Sequence, residues 1–177
     1  MSVKVLHEGT NTFFSSAEKR RENVPEQIPF SVKKQTIFFD RPPVITGRMS
    51  VAGQKEGKGP IGKYIRKVYD DDKLHEKTFE KAETDMLTDA IRGAIASSGK
   101  LKDEIDLLIA GDLLNQITSS SYVAREIGLP YLGVYSACST MSESLAVGAA
   151  MLNAGYYESV VCASFLSFFY LCRPPDK

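Results

Sequence analysis

Cys138 is the residue of this sequence whose type and position best suit chemistry. It lies in the segment 137–140 (ACST), between a predicted buried strand ending near Tyr135 and a predicted helix beginning at Ser139. A cysteine there has its sulfur near the positive end of the helix dipole and near backbone N–H groups without intrahelical partners. Both effects favour the thiolate, which suits a nucleophile. The same terminus would hold a carboxylate ligand without reaction, and a small buried residue that fits the turn is a third interpretation.

A glycine-rich loop over residues 53–62 resembles a phosphate-binding loop only in part. Its glycines satisfy G-x-G-x-x-G, and residues 57–63 satisfy all but the last position of G-x-x-x-x-G-K-[ST]. Both patterns require a strand that leads into the loop, and residues 54–56 (QKE) are not a buried strand. Tyr64 replaces the hydroxyl that would bind magnesium, and Pro60 lacks an amide N–H. We therefore predict a surface loop and no nucleotide.

The acidic residues, histidines and cysteines indicate neither a metal site nor a disulfide framework. The three consecutive acids at 70–72 point in different directions and lack the spacing of a calcium loop, so we predict a solvated helix start. The two histidines, His7 and His75, and the three cysteines share no close spacing, which suits a reducing compartment. His75 is predicted at the surface, and Cys162 and Cys172 as small buried residues.

Composition and charge are those of an ordinary globular chain. The 177 residues carry 22 basic and 22 acidic side chains, so net charge indicates neither nucleic acid nor an anionic membrane as a partner. No secretory signal is visible, and we predict a cytosolic chain. The uncharged segment Ser159–Cys172 is about 14 residues long, shorter than the roughly 20 that span a bilayer. It is predicted as a buried strand with trailing residues.

The elements that must position Cys138 follow from hydrophobic periodicity. The clearest helix runs from Glu76 to Ser98, with Gly99 placed to end it. Its apolar stripe consists of Phe79, Ala82, Met86, Ala90, Ile91, Ala94 and Ile95.

Three buried strands then alternate with two helices. The strands are predicted at 105–110, 131–135 and 160–163. A short helix capped by serines 119–121 reaches Ile127, and a second helix over 139–154 is apolar almost all round, which is typical of a helix in the interior of a domain. Strand and helix alternating with short links predict right-handed crossovers and a mostly parallel α/β sheet.

The chain divides into three predicted parts. Residues 1–33 show no sustained period and are predicted as a poorly ordered N-terminal extension that adds nothing to the core. Residues 34–164 form the folded part, with a β-prone run at 35–40 that 44–46 continues. Residues 165–177 are predicted as a divergent tail.

Several motifs in order resemble one known family. They are residues 59–62 (GPIG), 67–70 (KVYD), 111–117 (GDLLNQI), 128–133 (GLPYLG) and 137–146 (ACSTMSESLA). The chain resembles the stage V sporulation protein AD family of spore-forming bacteria, within the thiolase and ketoacyl synthase superfamily. The resemblance runs from about residue 35 to 163.

The resemblance implies a thiolase-like α/β fold with a buried central helix. It implies binding of dipicolinic acid or its calcium chelate, for uptake into the forming spore and release at germination. The implied ligand-binding residues are Cys138, Ser139 and Asn115, and Cys138 aligns with the nucleophile of acyl-transferring relatives. The implied partners are other stage V sporulation membrane proteins, on the cytoplasmic side of the spore inner membrane. No cofactor and no nucleic acid are implied.

Two departures from the family pattern shape the expected activity. The family's chains continue into a second half, so the resemblance implies an N-terminal half, with a ligand pocket shared between halves and an apolar face open to homodimer formation. The groups that assist the cysteine in acyl-transferring relatives come mainly from that second half. We therefore expect no enzyme activity, while an acyltransferase using Cys138 and a non-functional fragment stay as alternatives.

Overall fold

A computed structural model describes residues 2–7, 36, 37, 39, 42–71, 73–113 and 117–165 of the chain. Its strands are β1 (Ser2–His7), β2 (Val44–Ala52), β3 (Lys67–Val68), β4 (Leu107–Gly111), β5 (Tyr131–Gly133) and β6 (Ser159–Ser164). Its helices are α1 (Gln54–Gly57), α2 (Phe79–Ser98), α3 (Thr118–Ile127) and α4 (Thr140–Asn153). No helix among these described ranges is long and apolar enough to cross a membrane.

The strands form one mixed sheet in the order β3-β2-β1-β6-β4-β5. β4 pairs in parallel with both β5 and β6, and β2 pairs in parallel with β3. β1 is antiparallel to both of its neighbours. The predicted α/β class with a mostly parallel sheet is therefore confirmed, and the alternation β4-α3-β5-α4-β6 matches the predicted order.

The prediction of a poorly ordered extension over 1–33 is wrong for residues 2–7. These residues form β1, which lies inside the sheet between β2 and β6. Both of its partners are distant in sequence, so its backbone hydrogen bonds come from contacts that local periodicity does not record. Residues 8–33, and the predicted tail from 166 to 177 with Cys172, lie outside the described residues.

Alternate residues of the central strands build two cores, one on each face of the sheet. Leu108 and Ala110 of β4 face α2 and α3, whereas Leu107 and Ile109 face α4. β6 alternates in the same way, and Cys162 is fully buried on the α4 side, as predicted. A strand covered on both faces reads as a continuous apolar run because both sets of side chains leave water.

Helix α2 begins later than predicted, at Phe79. Thr78 caps it, because its hydroxyl accepts a hydrogen bond from the Lys81 N–H at 3.3 Å. Asp71 instead accepts from the N–H groups of Lys73 and His75, at 3.2 and 2.7 Å. The predicted role of the acids at 70–72 as a helix cap is therefore wrong for Asp71, which closes a separate turn.

The carboxyl end of α2 agrees with the prediction. Gly99 lies in the left-handed region with φ of 76°, which glycine adopts without steric strain because it has no Cβ. His75 is exposed, also as predicted.

Three further predictions differ from the structure: a loop, a strand and a helix cap. The loop predicted at 53–62 contains α1, a single helical turn. The strand predicted at 131–135 ends at Gly133 and is half-buried, because β5 forms one edge of the sheet. The serines at 119–121 lie within α3 rather than capping it.

Asp89 of α2 holds the strand β3 against the helix. Lys67 donates to Asp89 at 2.5 Å, and the Tyr69 hydroxyl donates to the same carboxylate oxygen. Although partial burial acts to raise it, these two hydrogen bonds keep the pKa of Asp89 below its ordinary value. Burial raises the pKa of Tyr69, and the Asp89 carboxylate adds to that rise.

Helix α4 is buried on one of its faces. Its buried residues are Thr140, Ser144, Gly148, Ala149 and Leu152. Ser142, Ala146 and Ala150 are exposed on another face. High hydropathy shows that side chains tolerate burial, whereas coverage depends on which partners are present. Within the described residues, the sheet covers α4 from one side.

Candidate functional site

Cys138 lies at the edge of the sheet where the parallel strands β4, β5 and β6 end. The chain leaves β5 at Gly133 and enters a 3-10 turn over Ala137–Ser139, which leads directly into α4. The thiol is therefore at the start of a helix, as predicted. Its side chain is exposed, which contradicts the interpretation of Cys138 as a small buried residue. The nucleophile and the ligand contact stay as predictions.

The turn before Cys138 has a strained backbone held by hydrogen bonds. Ala137 has φ of 46°, which costs an L-residue roughly 1–2 kcal/mol. The Thr140 hydroxyl donates to the Ala137 carbonyl at 2.8 Å and accepts from the Ser136 N–H at 3.2 Å. Thr140 is 2% exposed, so these bonds are shielded from water. Thr140 thus fixes the turn that presents Cys138.

Gly111 at the end of β4 lets the Cys138 turn approach the sheet. A Cβ at this position would lie 2.0 Å from the Val134 carbonyl oxygen and 2.8 Å from Cγ2 of Thr140. The Val134 N–H also donates to the Ala110 carbonyl at 3.1 Å. The segment between β5 and α4 is therefore bonded to β4 at a distance that only glycine permits.

The amino terminus of α4 has no side-chain cap. The Ser139 hydroxyl donates to the Ser136 carbonyl at 2.7 Å, and its side chain does not cap the helix. The preceding 3-10 turn uses the Thr140 N–H, which donates to the Ala137 carbonyl. Ser139 itself is exposed beside Cys138.

Glu143 places a negative charge in the first turn of the same helix. Its Oε2 atom is buried, with no hydrogen-bond partner among the described residues. A carboxylate at this point opposes a second anion and attracts a cation.

The structure does not place Asn115, since residues 114–116 lie outside the described part. The neighbouring Asp112 is 1% exposed, and its Oδ2 accepts a hydrogen bond from the Ser120 N–H at 2.7 Å. Asp112 therefore stabilises the amino terminus of α3. Sequence reasoning missed this role because the carboxylate is eight positions before its donor and beyond the usual capping distance.

Neither of the two described histidines lies at the Cys138 edge of the sheet. The backbone of His7 pairs with Ser159, at the opposite end of β6. His75 lies in the turn before α2, and α2 packs on the sheet face opposite α4. A group of histidine, cysteine and acidic side chains that could bind a metal ion is likewise absent from the described part of the chain.

A cleft of about 490 Å³ between α2 and α3 is separate from Cys138. Its charged lining is largely neutralised within the protein. Lys81 pairs with Asp85 at 2.5 Å, and Glu126 pairs with Arg92 at 3.1 Å. The cleft therefore offers little net charge for a charged ligand.

Comparison with known proteins extends the resemblance seen in the motifs. The model of the family described as stage V sporulation protein AD matches residues 33–171. The match extends to residue 171, and the divergent tail over 165–177 stays a prediction. Stage V sporulation protein AD of Bacillus subtilis (strain 168) is 39% identical over 131 residues, which are 74% of this chain and 39% of that protein. The chain thus spans 39% of the length of this relative.

Solved structures similar to the chain include two 3-oxoacyl-(acyl carrier protein) synthases III and OleA. 3-Oxoacyl-(acyl carrier protein) synthase III from Xanthomonas oryzae is 15% identical, covers 88% of this chain and 39% of its own, and has a TM-score of 0.41. OleA H285N from Xanthomonas campestris is 21% identical, with coverages of 52% and 27% and a TM-score of 0.40. 3-Oxoacyl-[acyl-carrier-protein] synthase III from Aquifex aeolicus is 23% identical, with coverages of 41% and 25% and a TM-score of 0.37.

Proposed function

This chain belongs to the stage V sporulation protein AD family, and we propose that it forms part of a binding protein for dipicolinic acid or its calcium chelate. The proposed role is uptake of this ligand into the forming spore and its release at germination. The observation that carries the proposal is the family match together with the exposed thiol of Cys138 at the start of α4. The proposed site lies where β4, β5 and β6 end.

The chemistry of the ligand suits this position. Dipicolinate is a planar ring with two carboxylates, and a carboxylate is the group that helix N–H donors bind best. In the proposal, the first turn of α4 receives one carboxylate. Cys138 and Ser139 contact the ring and its substituents, and Asn115 approaches from the segment after β4.

The calcium chelate is the preferred form of the proposed ligand. Glu143 repels a second anion at the amino terminus of α4, whereas the calcium ion of the chelate offsets that repulsion. Carboxylate oxygens are also ordinary calcium ligands. We propose that the chelate binds more tightly than the free acid for this reason.

The proposed pocket is shared with a part of the protein beyond residues 34–164. The described residues cover α4 from the sheet side, and its exposed face includes Ala146 and Ala150. A second half that packs on this face would enclose the ligand. A second copy of the chain is another proposed occupant, and membrane proteins of the same sporulation stage are the proposed partners at the inner membrane.

Ligand binding tests this proposal by calorimetry. We expect calcium dipicolinate to bind weakly or undetectably to the 177-residue chain, and measurably when residues 1–164 are joined to the remaining length of the Bacillus subtilis relative. Cys138→Ala in the joined chain should keep affinity within about tenfold, since the proposed carboxylate contacts are backbone N–H groups. Thr140→Val should weaken binding more, because it releases the turn.

The remaining length of the relative alone is the control for that experiment. Equal binding by this control and by the joined chain would place the ligand outside the Cys138 region. Absence of binding by the joined chain would contradict the proposed function. A larger loss from Cys138→Ala than from Thr140→Val would show that the thiol, rather than the turn, carries the affinity.

Acyl transfer by Cys138 is the second candidate function, favoured by the exposed thiol at the start of α4. We propose that the described half does not turn over, because His75 is on another part of the fold. Incubation with acetyl-CoA or malonyl-CoA should therefore give no turnover, measured as release of free CoA. Turnover at roughly 1 s⁻¹ or faster, lost in Cys138→Ala, would establish the enzyme instead.

A further inference from the structure

The glycine-rich segment without a phosphate-binding role forms a compact basic knob, defined here as residues 53–66. The knob contains four basic residues, at 55, 58, 63 and 66, and one acid, at 56, whereas the whole chain has zero net charge. All four basic residues are exposed. The net charge of the chain therefore conceals a local concentration of positive charge.

Two large apolar side chains are exposed among these charges. Ile61 is 63% exposed and Tyr64 is 73% exposed. The Lys63 ammonium lies 5.0 Å from the centre of the Tyr64 ring, so these two side chains lie side by side on the surface. Basic groups beside exposed apolar side chains are the combination found in protein segments that bind at a membrane surface.

The knob is held in one shape by its backbone. The N–H of Gly62 donates to the Gly59 carbonyl at 3.0 Å, and that of Tyr64 donates to the Ile61 carbonyl at 2.9 Å. A Cβ at Gly62 would lie 1.9 Å from the Gly57 carbonyl oxygen, so the backbone at Gly62 packs directly against the backbone at Gly57 within the knob. Ile61 and Tyr64 are therefore presented from a closed turn rather than from an extended loop.

We propose that the basic knob binds the surface of an anionic phospholipid bilayer. Lys58, Lys63 and Arg66 attract anionic headgroups, each adding to the affinity. Ile61 enters the boundary between headgroups and acyl chains, where tyrosine rings also reside. A phosphate backbone or a carboxylate-rich surface is bound mainly through charge, whereas the boundary of a bilayer offers an apolar environment to an isoleucine, so the apolar side chains favour a bilayer over those partners. This inference is independent of the proposed ligand site.

Flotation of the full 177-residue chain with vesicles tests the proposal. We expect binding to vesicles of phosphatidylglycerol and phosphatidylcholine, no binding to pure phosphatidylcholine, and a decline with added salt. Ile61→Ser with Lys63→Glu should weaken binding about 30-fold or more, from the reversed charge and the lost apolar contact. Lys58→Glu alone also should weaken it, and it leaves the 3-10 turn unchanged.

Leu101→Ser with Lys102→Glu is the matched control. Leu101 is 73% exposed beside Lys102, in the turn between α2 and β4, so the control removes the same kinds of group outside the knob. The control should bind within about twofold of the original chain, because neither residue is in the proposed surface. The proposal would be overturned if the control and the knob variants lost vesicle binding equally, or if the chain bound neutral vesicles as well as anionic ones. It would also be overturned if polyglutamate or RNA displaced the chain from the vesicles.

Discussion

Gly111→Ala is expected to destabilise the folded chain by about 3 kcal/mol or more. The cost is at the upper end of the range for overpacked cores because the added Cβ overlaps a backbone atom. The added Cβ would lie 2.0 Å from the Val134 carbonyl oxygen, and a backbone atom cannot move aside as a side-chain end can. The strain would separate the Cys138 turn from β4. Urea unfolding, followed by circular dichroism, measures the loss as a lower midpoint.

Gly93→Ala is the matched control for that substitution. Its Cβ would meet the flexible side chain of Met49 at 2.9 Å, with no backbone in the way. Alanine also favours the interior of α2 by roughly 1 kcal/mol over glycine. The control should therefore stay within about 1 kcal/mol of the original chain. A Gly111→Ala protein as stable as the control would show that the turn does not pack on β4 this closely.

Leu87→Ala is expected to cost about 3 kcal/mol of unfolding free energy. Leu87 is fully buried in the core between α2 and the sheet, together with Ile91 and Leu108. Removing three carbons from a closely packed site loses their transfer free energy and leaves a cavity. The change should appear in the urea midpoint, with little change in the slope of the transition.

Leu101→Ala is the matched control for Leu87→Ala, because it makes the same substitution at a leucine that is 73% exposed. Its free energy of unfolding should change by no more than about 0.5 kcal/mol. If the two leucine variants lose equal stability, Leu87 is not the core residue that the structure shows. If Leu87→Ala is tolerated, α2 packs on the sheet through another face.

Some of the candidate site followed from local sequence. Gly99 ends α2 because glycine alone adopts its left-handed conformation without cost, and this preference is local. Cys138 lies at the start of α4 because a strand, a short turn and an apolar helix each leave their own periodic pattern. The family motifs surrounding these positions were also recognised without coordinates.

Other features depend on contacts between distant segments. The apolar stripe predicted for α2 omitted Leu87. This residue is buried because the sheet and α3 together cover a wider face of the helix than the predicted stripe. Asp112 stabilises α3 only because the chain turns back after β4. Local patterns contain neither contact, since each requires two segments to be adjacent in space.

The sequence by itself determined the α/β alternation, the family and the place of Cys138 at a helix start. Only the tertiary structure decided that residues 2–7 lie inside the sheet and that one face of α4 is covered. It also showed that Ile61 and Tyr64 are exposed and that the Lys63 ammonium lies beside the Tyr64 ring. The physical reason is that propensity and hydropathy are properties of neighbouring residues, whereas strand pairing and burial depend on partners far along the chain.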